Sequence, residues 1–338
     1  NMEQTESTTP DYIFDPSDQA GWSQYLDQHG YCVLRATLDT ATVESVTAMV
    51  WEDMTKLYDV DKADPSSWGS IPTGAAGIVS KGLPQTQGPW TVRSSEAIRQ
   101  AFSAIWNTDE LLVSMDSLLC WLPWDFNPQW EPFSEGLHLD QNPFAKPDRI
   151  CVQGMVPLLD ITTESGGLEV VPDSHTPEAT ARFKRAHPQY DCGGLGADWC
   201  PLRNPDRDAP PAVLLLAKAG DLILWDSRTL HGGRVGQRAR VSGTIFRESS
   251  TDEGTLEQQN TPPVPVELAR LAVTVCMTPK ALASPGVLRA REKGYQKGCT
   301  FTHWPHEAIM TAMYPPPSGS RTAYQPVELP SRVLELIS

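Results

Sequence analysis

The sequence has no hydrophobic run long enough to cross a membrane. None of its apolar stretches approaches the roughly 20 consecutive residues that a transmembrane helix needs. The first residues, NMEQTESTTPDYIFD, contain neither the basic start nor the apolar core of a secretion signal. Asn1 precedes Met2, and we expect the natural chain to begin at Met2. A cytoplasmic protein without a membrane partner is therefore predicted.

Basic residues are scarce relative to acidic ones. The 27 lysines and arginines stand against 42 aspartates and glutamates, which gives a formal net charge of −15. Such a charge repels the phosphates of nucleic acids and acidic lipid headgroups. The composition therefore excludes nucleic acid as a main partner and favours a small-molecule substrate. It leaves a monomer and a homodimer both open.

Paired cysteines are also missing. The seven cysteines are scattered along the chain, and no two of them are spaced Cys-x-x-Cys. Neither a disulfide framework nor a cysteine zinc site is indicated by such a pattern. This pattern fits a reducing compartment, in agreement with the predicted cytoplasmic location.

Short apolar runs, separated by 30 prolines and 24 glycines, dominate the middle of the chain. From about residue 111 to 248 these runs are rich in aliphatic and β-branched residues and are divided by turn signals, which predicts a β sandwich or barrel core. Helical spacing of apolar residues predicts an N-terminal helical region over 17–107, and helical fragments return over 261–338. The predicted fold class is mainly β with flanking helices (α+β), in one domain over 2–338.

Three helices are predicted within the N-terminal region, at 17–29, 40–58 and 94–106. Between the last two, residues 65–89 are rich in glycine, proline and serine. This stretch predicts a long loop that acts as a lid over a small-molecule site.

A candidate metal site is carried by His138, Asp140 and His231. His138 and Asp140 are two residues apart in an extended segment, so their side chains point to the same face. His231 follows the apolar strand Leu222–Trp225 and begins a glycine turn. Two histidines and one carboxylate leave three octahedral positions open, which suits Fe(II) with a bidentate cosubstrate and dioxygen. Zinc usually has a fourth protein ligand or a single water.

A guanidinium near such a metal would bind the remote carboxylate of an α-keto acid in planar, bidentate geometry. Arg240 begins the strand RVSGTIF and is the first candidate, because alternation places it in the same interior as His231. Arg238 lies two residues earlier on the same face and is the alternative, with Arg234 third. Trp225 is interpreted either as core or as a wall of the cosubstrate pocket.

Five further polar residues are candidate substrate contacts: Arg93, Gln141, Asn142, Gln153 and Arg228. Gln141 and Asn142 follow the metal-site aspartate and either contact substrate or fix the loop before a proline. Gln153 is predicted to face the interior, where a ligand would satisfy its amide. Arg93 is the candidate for an acidic substrate group, whereas Arg228 is also interpreted as a member of an internal ion pair.

The segments HLDQNPF, ESGGLEVVPDSH, GDLILWDSRTLHGG and RARVS resemble, in wording and order, the phytanoyl-CoA dioxygenase-like family of Fe(II)/2-oxoglutarate oxygenases. The resemblance spans about residues 92–248, with weaker similarity around THWPH. It implies a double-stranded β-helix core, the jelly-roll or cupin-like fold, with iron at His138, Asp140 and His231 and 2-oxoglutarate at Arg240. Only eight residues separate His231 from Arg240, fewer than is usual in the family, so Arg238 stays the alternative.

The resemblance implies a dioxygenase that uses Fe(II), 2-oxoglutarate and dioxygen to oxidise an unactivated C–H bond. The long loop over 65–89 and the lack of a basic face for a polymer favour a small metabolite as the substrate, in specialised metabolism. Hydroxylation is the default outcome, and desaturation and oxidative cyclisation stay open. Asp140 argues against halogenation, because halogenating relatives replace this carboxylate with a small residue. Two alternatives remain: a non-catalytic jelly-roll protein that binds a small molecule, and a zinc-dependent hydrolase on a cupin-like fold.

Overall fold

A computed structural model describes residues 10–192, 198–202, 211–238, 265–314 and 324–338 of the chain. Within these ranges, none of the helices combines the length and apolar character needed to span a membrane. The division of the chain into domains stays a prediction.

The N-terminal region contains the three expected helices, which are α1 (Gln19–His29), α2 (Thr40–Tyr58) and α4 (Glu96–Trp106). It also contains a short helix that was not predicted, α3 (Gln87–Arg93). Asp18 accepts a hydrogen bond from the Gly21 N–H at the start of α1, and α1 ends at Gly30, whose φ of 85° is left-handed and favours glycine. The helices predicted at 17–29, 40–58 and 94–106 are thus confirmed to within two residues.

The strands before the chain reaches residue 203 are, in order, β1 (Ile13–Phe14), β2 (Tyr31–Leu34), β3 (Ile78–Val79), β4 (Leu111–Val113), β5 (Leu118–Trp121), β6 (His138–Leu139), β7 (Val152–Pro157), β8 (Gly166–Val170) and β9 (Cys200–Pro201). Helix α5 (Pro177–Ala186) lies between β8 and β9. The later elements are β10 (Val213–Leu214), β11 (Leu222–Asp226), β12 (His231–Val235), β13 (Arg270–Thr274), β14 (Met277–Pro279), α6 (Pro285–Gln296), β15 (Cys299–Phe301), β16 (Met310–Met313) and α7 (Ser331–Leu334).

Two sheets form the core. Seven strands pair in the order β1-β2-β11-β7-β13-β5-β3, and five pair in the order β10-β8-β12-β6-β9. Strands β5, β6, β7 and β8 alternate between the larger and the smaller sheet, and so do strands β10, β11, β12 and β13. Strands β8 and β10 are neighbours in the smaller sheet. This alternation is the double-stranded β-helix, or jelly roll. The predicted fold class is confirmed.

Side-chain alternation along the strands separates two apolar layers. In β11, Leu222 and Leu224 belong to the cluster that includes the buried faces of α1 and α2, whereas Ile223 and Trp225 belong to the cluster between the sheets. Successive residues of a strand point to opposite faces, so one strand serves both layers. The helices therefore cover the outer face of the larger sheet, and the inner face is left for a site.

The sheet core continues past the predicted limit at residue 248. Strand β13 lies between β7 and β5 in the larger sheet, and the N-terminal strand β2 pairs with β11. The tail from 261, predicted as helical fragments, also contains β14, β15 and β16 beside α6 and α7. The prediction was wrong here because the place of β13 in the sheet is decided by pairing with strands more than 100 residues earlier, which local spacing does not report.

Residues 65–89, predicted as one long loop, are partly structured. They include the strand β3, two short 3-10 helices and the start of α3. The Gly77 carbonyl accepts a hydrogen bond from the Cys120 N–H, and the Trp121 indole donates to the Ala76 carbonyl at 3.1 Å. This segment is therefore paired against the edge of the larger sheet.

Candidate metal centre

Three side chains meet at one point between the sheets: His138 on β6, Asp140 just after it and His231 at the start of β12. The strand register places His231 opposite His138. Each residue offers one ligand atom, and these atoms lie within 4.8 Å of one another. His231 Nε2 is 3.2 Å from one oxygen of Asp140, and His138 Nε2 is 3.6 Å from the other. Among the described residues, no other cluster of histidine, cysteine and carboxylate side chains meets this geometry.

Backbone carbonyls orient both imidazoles. His138 Nδ1 lies 3.0 Å from the Gly136 oxygen, and His231 Nδ1 lies 2.9 Å from the Thr229 oxygen. Because a carbonyl oxygen only accepts, each Nδ1 carries the proton and donates it. Each Nε2 therefore keeps its lone pair free, and it faces the shared point as a metal ligand would.

Asp140 is held in the charged state. Burial by itself raises the pKa of its carboxyl, but the nearby imidazoles of His231, His303 and His138 hold this pKa well below its usual range. Gln153 donates a further hydrogen bond to the carboxylate at 3.0 Å. Burial also lowers the pKa of His138 and favours its neutral form. A carboxylate and neutral imidazoles are the protonation states that bind a metal.

The donor set fits Fe(II). Two imidazole nitrogens and one carboxylate oxygen on one side of a metal form the triad of non-haem iron oxygenases, with the remaining positions open. Those positions face a cavity of about 280 Å³ that is lined by all three residues. A structural zinc site would close these positions with a further ligand.

The same cavity contains a buried guanidinium. Arg270, the first residue of β13, is 5% exposed, and burial lowers its pKa to about 10. Its ring neighbour is Trp121, with 4.7 Å between the guanidinium carbon and the ring centre, and one of its nitrogens lies 3.4 Å from the Met155 sulfur. Its Nε has no hydrogen-bond partner, and no carboxylate of the described residues pairs with it. A buried, unpaired cation beside a metal triad is suited to an anionic ligand.

The family model for phytanoyl-CoA dioxygenase (PhyH) matches residues 26–240, well over half of the chain. The chain belongs to this family. The resemblance found in the sequence is thereby confirmed. This PhyH family member is also similar to Ava biosynthesis cluster protein O of Aspergillus versicolor, with 24% identity over 314 residues that cover 88% of this chain and 90% of the relative.

Two solved structures also show similarity to this chain. The non-heme alpha ketoglutarate dependent epimerase SnoN from nogalamycin biosynthesis is 17% identical, with a TM-score of 0.49 over 78% of this chain and 84% of that one. AviO1 from Streptomyces viridochromogenes Tue57 is 13% identical, with a TM-score of 0.48 over 78% of this chain and 96% of that one.

The residues predicted to bind the cosubstrate have different outcomes in this PhyH family member. Arg240 lies outside the described residues and stays a prediction. Arg238 pairs with Asp125 at 3.3 Å and does not line the cavity. Trp225 lines the cavity, with its ring centre 5.6 Å from that of His231, and its buried indole Nε1 has no hydrogen-bond partner.

Of the five predicted substrate contacts, Gln153 alone lines this cavity. The Gln141 amide donates to the Lys146 and Asp148 carbonyls, and the Asn142 amide donates to the Tyr190 carbonyl, so both residues fix the loop after β6.

The two arginines predicted as substrate contacts form hydrogen bonds within the protein instead. Arg228 forms a bidentate pair with Asp226, at 3.0 and 2.8 Å. Arg93 is fully buried and donates to the backbone carbonyls of Pro84, Asp116 and Thr274. Neither guanidinium is among the groups that line the cavity.

Several cavity residues were not among the predicted site residues. They are Arg270, Asp116, His303 and the aromatic or apolar residues Trp121, Trp199, Phe133 and Ile78. The run RLAVTVCM carried a β-strand signal for Arg270, since it alternates and is rich in β-branched residues. His303 lies in the segment HWPH, and an HxxH spacing without other ligands is a weak signal for a site.

Proposed function

We propose that this protein is an Fe(II)- and 2-oxoglutarate-dependent dioxygenase that oxidises a C–H bond of a small molecule in specialised metabolism. One observation carries the proposal: the open side of the His138, Asp140 and His231 triad faces a cavity that also contains the buried, unpaired guanidinium of Arg270. A metal and a dianionic cosubstrate together satisfy both features. A non-catalytic binding module has no need for either.

The three triad residues would hold the iron, which supplies dioxygen activation and C–H oxidation when it is bound. Gln153 keeps the Asp140 carboxylate in place through its hydrogen bond. The Gly136 and Thr229 carbonyls keep both imidazoles in the ligating tautomer.

Arg270 would bind the remote carboxylate of 2-oxoglutarate. Its planar guanidinium offers two parallel donors, and the Trp121 ring fixes its plane. Arg240 and Arg238, favoured by the sequence, are the competing assignments. Because Arg238 already pairs with Asp125, the geometry favours Arg270 over it.

The family name describes a dioxygenase. Hydroxylation is the default reaction for this chain, and desaturation and oxidative cyclisation stay open. The choice depends on which bond of the substrate lies nearest the metal. A cytoplasmic location and a monomeric or homodimeric state stay predictions.

The test is an anaerobic titration of 2-oxoglutarate into the Fe(II)-loaded protein. Chelation of an α-keto acid by ferrous iron gives a weak visible charge-transfer band, which we expect for the wild type. His138→Ala should abolish the band. Arg270→Ala should leave it but require far more 2-oxoglutarate, whereas Arg238→Ala should behave as wild type. Arg240→Ala is the direct comparison for the assignment made from the sequence.

The alternatives give different results. If Arg240→Ala loses affinity for 2-oxoglutarate and Arg270→Ala does not, the residue that binds the remote carboxylate is Arg240. No band in iron-loaded wild type would contradict the oxygenase. Hydrolase activity with zinc would then favour the cupin-like hydrolase, and binding of a small molecule without turnover would favour the binding protein.

A further inference from the structure

The cavity has two chemically different ends. Arg270 and Thr274 are the first and last residues of β13, about 13 Å apart along an extended strand. Arg270 lies at one end, against Trp121. At the other end, the Thr274 hydroxyl donates to the Ser117 carbonyl at 2.6 Å, which places the neighbouring Asp116 there.

Asp116 and His303 provide the polar groups of this second end. Both line the cavity. The Asp116 carboxylate accepts a hydrogen bond from the Ser117 N–H at 2.6 Å, and no ion pair links it to another described residue. The Nε2 atom of His303 is buried and has no hydrogen-bond partner. Neither side chain belongs to the candidate metal-ligand triad.

Arg93 lies behind this end without reaching into it. All of its hydrogen bonds go to backbone carbonyls, including that of Asp116. These carbonyls occupy its donors, which are therefore not available to a ligand. Burial raises the pKa of the Asp116 carboxyl, and the nearby Arg93 opposes this effect. The Asp116 end therefore offers hydrogen-bond acceptors to a ligand.

The cavity is poor in cations and rich in aromatic surface. Among its described lining residues, Arg270 is the one lysine or arginine side chain, and the proposed function assigns it to 2-oxoglutarate. The rest of the lining includes the rings of Trp121, Phe133, Trp199 and Trp225. A carboxylate or phosphate of a substrate would be desolvated there without a positive partner, which is costly. Flat apolar rings would instead pack against the walls.

We infer that the substrate is an uncharged, ring-containing molecule, and that a hydroxyl or N–H group of this molecule donates a hydrogen bond to Asp116, with His303 as the second polar contact. The inference rests on the proposed function, because the cavity lacks a spare cation only if Arg270 binds 2-oxoglutarate. The contact fixes one end of the substrate and so decides which C–H bond faces the metal. Acyl-coenzyme A thioesters, with their phosphates, are outside this class.

Two probes with the same ring test the inference. 2-Naphthalenemethanol carries a neutral hydroxyl, and 2-naphthoate carries a carboxylate. Each is titrated calorimetrically into the protein loaded with Fe(II) and 2-oxoglutarate under argon, so that no turnover occurs. We expect the alcohol to bind at least tenfold more tightly than the carboxylate, and palmitoyl-coenzyme A to give no binding.

The variant Asp116→Asn keeps the shape of the side chain but removes its charge. A hydroxyl donates more strongly to a carboxylate than to an amide oxygen, so the alcohol should bind about fivefold more weakly. The carboxylate probe should bind more tightly, because the repulsion is gone. His303→Leu should weaken the binding of the alcohol and leave the binding of the carboxylate unchanged. Asp160→Asn is the matched control, since Asp160 pairs with Lys218 on the surface, and both affinities should match wild type.

The outcomes separate this inference from the proposed function. If the charge-transfer band with 2-oxoglutarate is present, but the probes bind equally, the carboxylate binds better, or neither binds, the substrate class is wrong and the oxygenase stands. Unchanged affinities in Asp116→Asn would also overturn the contact. The band in each variant serves as the check that the metal site is still folded. A missing band in wild type would contradict the oxygenase itself.

Discussion

Arg270 and Trp121 are opposite one another in the register of two neighbouring strands, and the guanidinium carbon of Arg270 lies 4.7 Å from the centre of the Trp121 ring. A cation over an indole face is stabilised by about 0.5–2 kcal/mol, more when desolvated. The contact holds the guanidinium plane while leaving its Nε without a partner. Arg270 is thus positioned before any anion arrives.

This arrangement predicts that lysine cannot replace Arg270. Arg270→Lys keeps the charge but loses the planar pair of donors, so we expect the half-saturating 2-oxoglutarate concentration to rise about tenfold. Arg270→Ala should raise it further. The measurement is the anaerobic charge-transfer titration. A lysine variant with wild-type affinity would show that the guanidinium geometry is not used.

Gln153 is predicted to control iron affinity without touching the iron. Its amide donates to the Asp140 carboxylate at 3.0 Å, and loss of such an outer contact typically weakens metal binding by about 10–100-fold. Gln153→Leu should therefore lower Fe(II) affinity, as measured by competition with a chelator. Gln28→Leu, at an exposed position of α1, is the matched control. Equal iron affinities in the two variants would contradict the role of Gln153.

His306 is predicted to make stability depend on pH. Burial lowers the pKa of His306 to about 4, with opposing effects from Glu307 and Lys146, and its Nδ1 lies 3.0 Å from the Thr278 hydroxyl. The unfolded chain takes up the proton near pH 6.5, but the folded chain does so only near pH 4. Stability is therefore lost as the pH falls between these values, by about 3 kcal/mol at most.

The check is urea unfolding of wild type and His306→Gln at several pH values from 7 to 4. Other groups titrate in this range, so the difference between the two proteins is the informative quantity. We expect wild type to lose stability more steeply than the variant as the pH falls. Parallel pH profiles would show that His306 does not carry this effect.

Arg291 is predicted to fasten the C-terminal segment to the core. It is fully buried in α6 and donates to the carbonyls of Val113, Pro305, Leu336 and Ile337. Arg291→Met would remove these buried hydrogen bonds, and we expect the free energy of unfolding to fall by about 3–5 kcal/mol.

The comparison for Arg291 lies on the same helix. Arg289 is exposed, so Arg289→Met should change the free energy of unfolding by less than about 0.5 kcal/mol. Both variants are measured by urea unfolding followed through tryptophan fluorescence. A loss in Arg289→Met as large as that in Arg291→Met would point to a general effect on α6.

Much of the fold could be predicted from local sequence patterns. The three N-terminal helices follow from the spacing of apolar residues and from their caps, which depend on neighbours within a few positions. The candidate triad also follows from local pattern, because His138 and Asp140 share a face of one extended segment, and His231 follows a strand directly. The helices and the triad could therefore be predicted from residues that lie close together in the sequence.

Long-range pairing decided the rest. Arg270 reaches the cavity because β13 lies between β7 and β5, and neither neighbour is near it in the chain. Arg93 was the sequence candidate for contact with an acidic substrate group. In the fold it lies behind the cavity, and its guanidinium donates to three backbone carbonyls.

The sequence by itself thus determined the family, the fold class and the residues proposed to bind the metal. Only the tertiary structure decided which cations and polar groups face that metal. The physical reason is that periodicity and spacing report contacts between near neighbours, whereas the lining of a cavity between two sheets is set by strand order, which joins residues far apart in the chain.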